Sequence, residues 1–271
     1  MSQTRIGVIG GTGLYDLFEH GQELEIATPY GQTSSPITLG EIEGKQVAFL
    51  TRHGRGHSVP PHKIPYRANI WALASLGVKA LLTSSAVGGL QPTVPPGTFV
   101  IPTQIIDRTY GREQTFFDEE SVQHLVAADP FDTALQALAR DALTKLRVVA
   151  QMGGTVVVIP GPRFATRAES QSYASAHYDI INMTMAPEVF LAMELGMGVV
   201  NVSFITDSDS AVARDHEDAV TPELVTQRLA EAQPRIRQVL ADLVSRIPED
   251  YAPTTNIPQT AIEAVLARKI N

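Results

Sequence analysis

The sequence contains no cysteine. This absence excludes disulfide bonds, catalysis by a thiolate and zinc sites built from cysteine. The chain also lacks any run of lysine or arginine, and its formal net charge is -8. Nothing therefore indicates binding to DNA, RNA or an anionic membrane surface, whereas a small phosphorylated ligand needs only local positive charge.

Long hydrophobic runs are missing as well. No charged and then apolar leader precedes Gly7, and no apolar run approaches the roughly 20 residues of a membrane-spanning helix. We therefore expect a cytoplasmic protein. The hydrophobic content of 44% suits an ordinary globular chain. We expect a single domain over residues 1–271, with an extended segment and a short helix from about residue 248.

Short apolar, β-branched runs alternate with stretches of helical period. This alternation predicts an α/β fold: a mixed, largely parallel central sheet flanked by helices. The predicted strands are Ile6–Ile9, Gln46–Leu50, Ala80–Thr83, Thr98–Ile101, Thr155–Ile159, Ile180–Asn182 and Val199–Ile205. The predicted helices are Ala68–Ala74, Asp132–Leu146, Arg167–His177, Pro187–Leu195, Pro222–Ile247, in which Pro234 could introduce a kink, and Thr260–Lys269.

The first strand leads into a glycine-rich turn, "GGTG", that lacks the signatures of nucleotide loops. Counted from Gly11, the third glycine of a dinucleotide fingerprint is replaced by Asp16, and no lysine follows as a phosphate-binding loop of the Walker type requires. What is left is a turn with free backbone N–H groups and the Thr12 hydroxyl. It either holds one phosphate or is a plain turn between a strand and a helix.

The densest cationic cluster follows the second predicted strand: Arg52, His53, Arg55, His57 and His62. A guanidinium fork matches the oxygens of a phosphate, and a histidine can add a further donor, so this strand end suits a small oxyanion. A solvated loop is the alternative. A three-histidine metal site is not favoured, because the spacing does not place two ligands on one helix and no carboxylate accompanies them.

Two more strand ends carry polar side chains. Ser84 and Ser85 follow one apolar strand and precede small residues, which either let a ligand approach the backbone or form a turn. Asp207 and Asp209 follow another strand and lie two residues apart, so both carboxyls point to one side of an extended chain. Repulsion between them raises the pKa of one, which makes it a general acid; a cation site, a cap or a solvated loop are the alternatives.

These stretches together resemble a known family. The motifs "GVIGGTGLYD", "TRHGRGH", "PYRANIWAL", "SSAVGGL", "DRTYGREQTFFD", "GPRFATRAES", "NMTMAPE" and "TDSD" are similar to those of the trimeric purine nucleoside phosphorylase superfamily, and most closely to its 5′-methylthioadenosine phosphorylase branch. The likeness runs from about residue 5 to residue 226. It implies a pentosyltransferase of purine and methionine salvage that needs no cofactor and no metal, because inorganic phosphate is a co-substrate.

The resemblance implies a set of site residues. Phosphate would be bound by Thr12, Arg52, His53, Ser85, the backbone at Ala86, and Thr184. Met183 would lie against the ribose, Phe164 would stack on the purine, and Asp207, paired with Asp209, would be the catalytic acid that protonates N7.

The same resemblance bears on substrate choice and on assembly. Ala165 and Asp207 stand where phosphorylases of 6-oxopurines carry Glu and Asn, which favours a 6-aminopurine. Pro222 and Val225 would form an apolar wall for a 5′-methylthio group. His124 would enter the site of a neighbouring subunit in a homotrimer or hexamer. The alternative substrates are methylthioinosine, adenosine or inosine, and a non-catalytic nucleoside-binding protein is a further alternative.

Overall fold

A computed structural model of the chain describes residues 5–12, 14, 17–18, 20–119, 121–209 and 221–270. Asp16 and Gly13 of the glycine-rich turn lie outside these residues. The described strands are β1 Ile6–Gly10, β2 Gln22–Leu24, β3 Ile37–Ile42, β4 Lys45–Thr51, β5 Ala80–Gly89, β6 Phe99–Ile101, β7 Gln104–Asp107, β8 Ala150–Met152, β9 Thr155–Val158, β10 Ile180–Asn182 and β11 Gly198–Ser208. The helices are α1 Tyr66–Ser75, α2 Thr133–Lys145, α3 Arg167–Ser175, α4 Met185–Glu194, α5 Pro222–Arg246 and α6 Gln259–Leu266.

All eleven of these strands belong to one mixed sheet, which confirms the predicted fold class. The order is β2-β3-β4-β1-β5-β10-β9-β7, and β11 joins β5 to β6 and so to β8. Strand β5 is the centre of the arrangement. It pairs in parallel with β1 and β11, and its last two residues pair antiparallel with β10.

Helices cover both faces of the sheet. One apolar cluster joins α1, α4 and α6 to the strands through side chains such as Ile70, Val189 and Ile262. The other joins α2 and α5 to the opposite face through side chains such as Leu135 and Val239. Because both faces are covered, the central strands are buried almost throughout and consist of nearly continuous apolar and small residues.

Two central strands are longer than predicted. The segment Ser84–Gly89, interpreted from its small residues as a strand end or a turn, continues β5, because β11 pairs along it on one side and β10 at its end on the other. Strand β11 likewise runs to Ser208, so Asp207 lies within it. The short strands β2, β3, β7 and β8 were not predicted, and Pro234 lies inside one helix, α5.

The C-terminal segment packs on its own chain. Ile262 and Val265 of α6 are buried in the cluster that contains α1, and Trp71 Nε1 donates to the Val265 carbonyl at 3.1 Å. Arg268 Nη1 donates to the Tyr30 hydroxyl at 2.6 Å. Among the helices described, none combines the length and the apolar character needed to cross a membrane.

Candidate active site

One cavity of about 830 Å³ lies at the carboxyl ends of the central strands. The ends of β1, β4, β10 and β11 and the middle of β5 reach its wall, as expected for strand ends that converge at one edge of a sheet. The cavity brings together every site residue predicted from the sequence except His124. Those residues are Thr12, Arg52, His53, Ser85, Ala86, Phe164, Ala165, Met183, Thr184, Asp207, Asp209, Pro222 and Val225.

At one end of the cavity Arg52 is held in a fixed orientation. Its Nε and Nη2 donate to the two carboxylate oxygens of Glu188 at 2.6 and 2.7 Å, and its Nη1 donates to the Ser84 carbonyl at 2.9 Å. Both charged side chains are almost fully buried. A guanidinium has five N–H groups, so two are left to face an anion after these three bonds. The sheet and α4 thus preorganise the arginine for binding an oxyanion.

Glu188 is a site residue that the sequence analysis did not identify. It is the last residue of the motif "NMTMAPE" and belongs to α4, far from Arg52 in sequence. The signal that the sequence does offer is an acidic residue inside the otherwise apolar run "MAPEVFLAM", because a buried carboxylate is costly unless it is paired. Its charge balances that of Arg52 when the cavity holds no anion.

His53 differs from the expectation that it adds a donor. Its Nδ1 lies 2.9 Å from the Val59 carbonyl oxygen, which can only accept, so Nδ1 carries the hydrogen. Burial, reinforced by the charge of Arg52, lowers the pKa of His53 to about 4, so the ring is neutral near pH 7. A neutral ring protonated on Nδ1 has a bare Nε2, which is an acceptor. The His57 ring stacks on it with centroids 4.3 Å apart.

The loop that carries Met183 and Thr184 is fixed by two polar residues. Asn182 Oδ1 accepts from the backbone N–H groups of Thr184 and Met185, both at 2.7 Å. Arg112, in the motif "DRTYGREQTFFD", donates to the Met183 carbonyl at 2.9 Å and to the Ala186 carbonyl at 2.5 Å. The role of Arg112 could not be predicted from the sequence, because only the folded chain brings it to this loop.

At the other end of the cavity Asp207 and Asp209 lie on the same side of the chain, as predicted. Each is only 3% exposed, and a β-bulge shifts the register between Ile205 and Asp207. Burial raises the pKa of Asp207 to about 6, and the charge of Asp209 adds to this, whereas the Thr206 hydroxyl, which donates to Asp207 Oδ1 at 2.7 Å, opposes it. The main cause is therefore burial and not, as the sequence analysis proposed, repulsion between the two carboxylates.

Two glycines at the site make room for its side chains. A Cβ on Gly88 would lie 3.0 Å from Asp207 Oδ2, and one on Gly11 would lie 2.9 Å from Arg52 Nη1 and 2.5 Å from the Ser84 carbonyl oxygen. Gly88, interpreted from the sequence as room for a ligand or as part of a turn, thus leaves space for Asp207, and Gly11 leaves space for Arg52.

Phe164 and α5 form the remaining walls. Phe164 is 38% exposed, so part of its ring is accessible for stacking, and Ala165 follows it. Pro222 and Val225 of α5 present apolar groups, and the lining continues along the helix to Leu229 and Gln233.

Two members of the cationic cluster, Arg55 and His62, do not line the cavity, whereas His57 does. Arg55 is exposed and pairs with Glu23, and His62 is exposed. No group of three histidine or acidic side chains in metal-binding geometry occurs among the residues described. His124 is exposed and lies away from the cavity of its own chain, where its carbonyl accepts from Asn256.

Comparison with known proteins places these features in context. Residues 5–245 match a family model described as the phosphorylase superfamily. The chain is 47% identical over 247 residues to the S-methyl-5′-thioadenosine phosphorylase of Saccharolobus solfataricus, with 90% of each chain covered. It is 45% identical over 252 residues to the protein of the same name from Thermofilum pendens, covering 92% of this chain and 95% of that one.

Solved structures show the same similarity. A methylthioadenosine phosphorylase from an antarctic soil metagenomic library superposes with a TM-score of 0.86 at 38% identity, over 94% of this chain and 90% of that chain. The methylthioadenosine phosphorylase of Schistosoma mansoni in complex with adenine superposes with a TM-score of 0.86 at 31% identity, over 97% and 96% of the two chains.

Proposed function

Because the chain belongs to the phosphorylase superfamily, and within it to the S-methyl-5′-thioadenosine phosphorylases, we propose that it catalyses the phosphorolysis of 5′-methylthioadenosine. Inorganic phosphate and the nucleoside are the substrates. Adenine and 5-methylthioribose 1-phosphate are the products. The reaction needs no cofactor, since phosphate is itself the second substrate.

The observation that carries this proposal is the arrangement of the cavity. Arg52, which lies beside Ser84 of β5, and the Ser85 hydroxyl offer donors for an anion at one end. A buried aspartic acid with a pKa of about 6 lies beside Gly88, further along the same strand, at the other. A nucleoside between them has C1′ facing the anion and its purine facing the acid. This is the polarity that the displacement of a purine by phosphate requires.

In the proposed reaction a phosphate oxygen forms a bond to C1′ while the bond from C1′ to N9 breaks. The bonding electron pair moves into the purine, and the proton of Asp207 passes to N7, so that neutral adenine leaves. Positive charge that develops on the sugar is stabilised by the phosphate anion beside it. Neutral His53 accepts a hydrogen bond from a protonated phosphate oxygen, which makes hydrogen phosphate the bound form.

The preference for a 5′-methylthio 6-aminopurine follows from two walls of the cavity. Asp207 and Asp209 accept hydrogen bonds from an exocyclic amine, whereas a 6-oxo group would be a further acceptor facing them. Pro222 and Val225 cover the methylthio end, and burial of the sulfur and methyl contributes on the order of 1–2 kcal/mol.

We also propose that the active form is a homotrimer, or a hexamer built from trimers, in which His124 reaches the cavity of a neighbouring chain. The surface around His124 supports this. Val122 and Val126, two residues before and two residues after it, are 73% and 65% exposed. Large apolar side chains grouped on a surface mark a contact with another protein.

The proposal is tested by substrate competition. The protein is incubated with phosphate and equal concentrations of methylthioadenosine, adenosine, methylthioinosine and inosine, and kcat/KM is compared for each. We expect methylthioadenosine to give the highest value and purine release to require phosphate. A preference for inosine would contradict the role given to the aspartates, and release of purine without phosphate would contradict phosphorolysis.

A further inference from the structure

Below the floor of the cavity a row of four polar side chains crosses between strands β5 and β11. Thr83 and Ser85 of β5 are in register with Asn201 and Ser203 of β11, so all four point to the same face of the sheet. Three of them are 0% exposed, and Ser85 is 3% exposed. Buried polar groups lower stability unless each has a hydrogen-bond partner, whereas apolar side chains would fill the same space without this cost.

The hydrogen bonds of this row have a direction. Ser203 Oγ donates to Asn201 Oδ1 at 2.7 Å. The amide nitrogen of Asn201 donates to Thr83 Oγ1 at 2.7 Å and to Ser85 Oγ at 3.0 Å. This orientation of the amide uses both of its hydrogens, whereas the opposite one would leave a hydrogen without an acceptor in a dry interior.

The direction matters because Ser85 is the only member of the row that lines the cavity. Its oxygen accepts from Asn201, and among the residues described its own hydrogen is donated to no protein group. That hydrogen is therefore free to be donated to a ligand in the cavity. A hydroxyl that gave its hydrogen to the amide oxygen would instead present lone pairs to the phosphate, which repel it.

We propose that Asn201 is a positioning residue for the phosphate site: by donating to the Ser85 oxygen it keeps the Ser85 hydrogen directed at the phosphate. The inference rests on the proposed phosphorolysis and deepens it. Asn201 does not touch the substrate and acts only through Ser85. Ser203 fixes the amide in turn, so one row of hydrogen bonds connects the interior of the sheet to the anion.

The test is a double-mutant cycle on the full-length protein. Asn201→Asp keeps the shape but removes both donors, so the new side chain accepts the Ser85 hydrogen. We expect it to raise the KM for phosphate about tenfold, which corresponds to about 1.4 kcal/mol, with less than about a twofold change in the KM for the nucleoside. In a Ser85→Ala background the same substitution should raise the phosphate KM by less than about twofold.

The cycle separates this role from two others. A charge introduced near the phosphate, or a general disturbance of the sheet, would raise the phosphate KM equally with and without Ser85, and that result would overturn the proposal. The opposite amide orientation predicts no change on Asn201→Asp, which would also overturn it. Thr83→Val is the matched control, because Thr83 accepts from the same amide but does not line the cavity; we expect less than about a twofold change in the phosphate KM.

A second variant covers the case in which the buried aspartate prevents folding. Asn201→Ser replaces the two amide donors by a single hydroxyl on a shorter side chain, which takes the donor away from Ser85 without adding charge. We expect a rise in phosphate KM that again depends on Ser85. An unchanged phosphate KM in a folded Asn201→Ser protein contradicts the proposal. If the wild-type protein releases no purine with phosphate, the proposed function itself fails, whereas an active wild type with an additive cycle rejects only the role of Asn201.

Discussion

Asp207 is the residue for which the structure gives the sharpest expectation. Burial raises its pKa to about 6, so the proton that it gives to the purine is present below this pH and is lost above it. We expect kcat/KM for methylthioadenosine to fall on the alkaline side of about pH 6. Asp207→Asn should lower kcat at least about tenfold and abolish this limb of the profile. Ionisation of phosphate affects the wild type and the Asp207→Asn variant alike. The difference between their profiles of kcat/KM against pH therefore reports the ionisation of Asp207.

The same shift has a cost in stability. The folded-state pKa is raised above the ordinary value of 3.8, so stability falls as pH rises between these two values, and the cost is complete above about pH 6. Asp207→Asn should therefore raise the free energy of unfolding at pH 7.5, by at most about 3 kcal/mol, and have little effect near pH 4. Denaturant unfolding at the two pH values checks this. An equal effect at both would reject the raised pKa.

The buried pair of Arg52 and Glu188 separates stability from phosphate binding. Arg52→Met leaves the Glu188 carboxylate buried and unpaired, which should cost about 3–5 kcal/mol of unfolding free energy, and it should raise the KM for phosphate. The double variant Arg52→Met with Glu188→Met should recover most of the stability, because two apolar side chains replace the pair. Phosphate binding should not recover.

These two readouts decide what Arg52 does. Recovery of phosphate affinity in the double variant would mean that Arg52 serves only to pair with Glu188. Unfolding in denaturant and phosphate saturation curves on the same preparations give both quantities.

At the scale of single elements, strand β5 carries the densest set of constraints. Gly88 has room only for hydrogen, because a Cβ would lie 3.0 Å from Asp207 Oδ2 and 2.9 Å from Ile181 Cγ2. We expect Gly88→Ala to displace the Asp207 carboxyl and lower kcat by about tenfold or more. Gly89→Ala is the matched control: its Cβ would meet the Val94 carbonyl at 2.5 Å, so it should lower the melting temperature without this loss of kcat per folded molecule.

The outcome is read from kcat divided by the folded fraction. Equal losses of kcat in the Gly88 and Gly89 variants would mean that β5 only supports the sheet and that Gly88 does not determine the position of the Asp207 carboxyl.

The elements also show what the sequence alone could predict. Helices α1, α2, α4 and α5 were placed to within a few residues, because their apolar periodicity is set locally. The extension of β5 through "SSAVGG" could not be predicted, since small residues read as a turn and only the pairing with β11 and β10 makes them a strand. The edge strands β2 and β7 are short and in part exposed, so they lack an apolar pattern.

The site was predictable to a similar degree. The residues drawn from the motifs meet in one cavity, because motifs at the ends of parallel strands share an edge of the sheet. Glu188, Arg112 and Asn201 were missed, since each acts on a residue far away in sequence. The bulge before Asp207 and the burial that sets its pKa are properties of the folded chain.

For the whole molecule, the proposed oligomer makes each site a product of two chains. Asp207→Asn and His124→Ala should each lower activity, but co-expression of the two variants should restore part of it, because some sites then combine an intact Asp207 with an intact His124 from the neighbour. Activity per site, measured on oligomers purified through two different tags, checks this. Mixed oligomers no more active than the average of the two parents would contradict a shared site.

The most direct measurement is a crystal structure of the protein with phosphate and adenine. We predict phosphate in contact with Arg52, Ser85 and Thr184, and adenine between Phe164 and the carboxyls of Asp207 and Asp209, with the sugar position empty between them. Phosphate bound away from Arg52, or adenine bound away from Asp207, would contradict the claim that one cavity holds an anion at one end and a purine at the other.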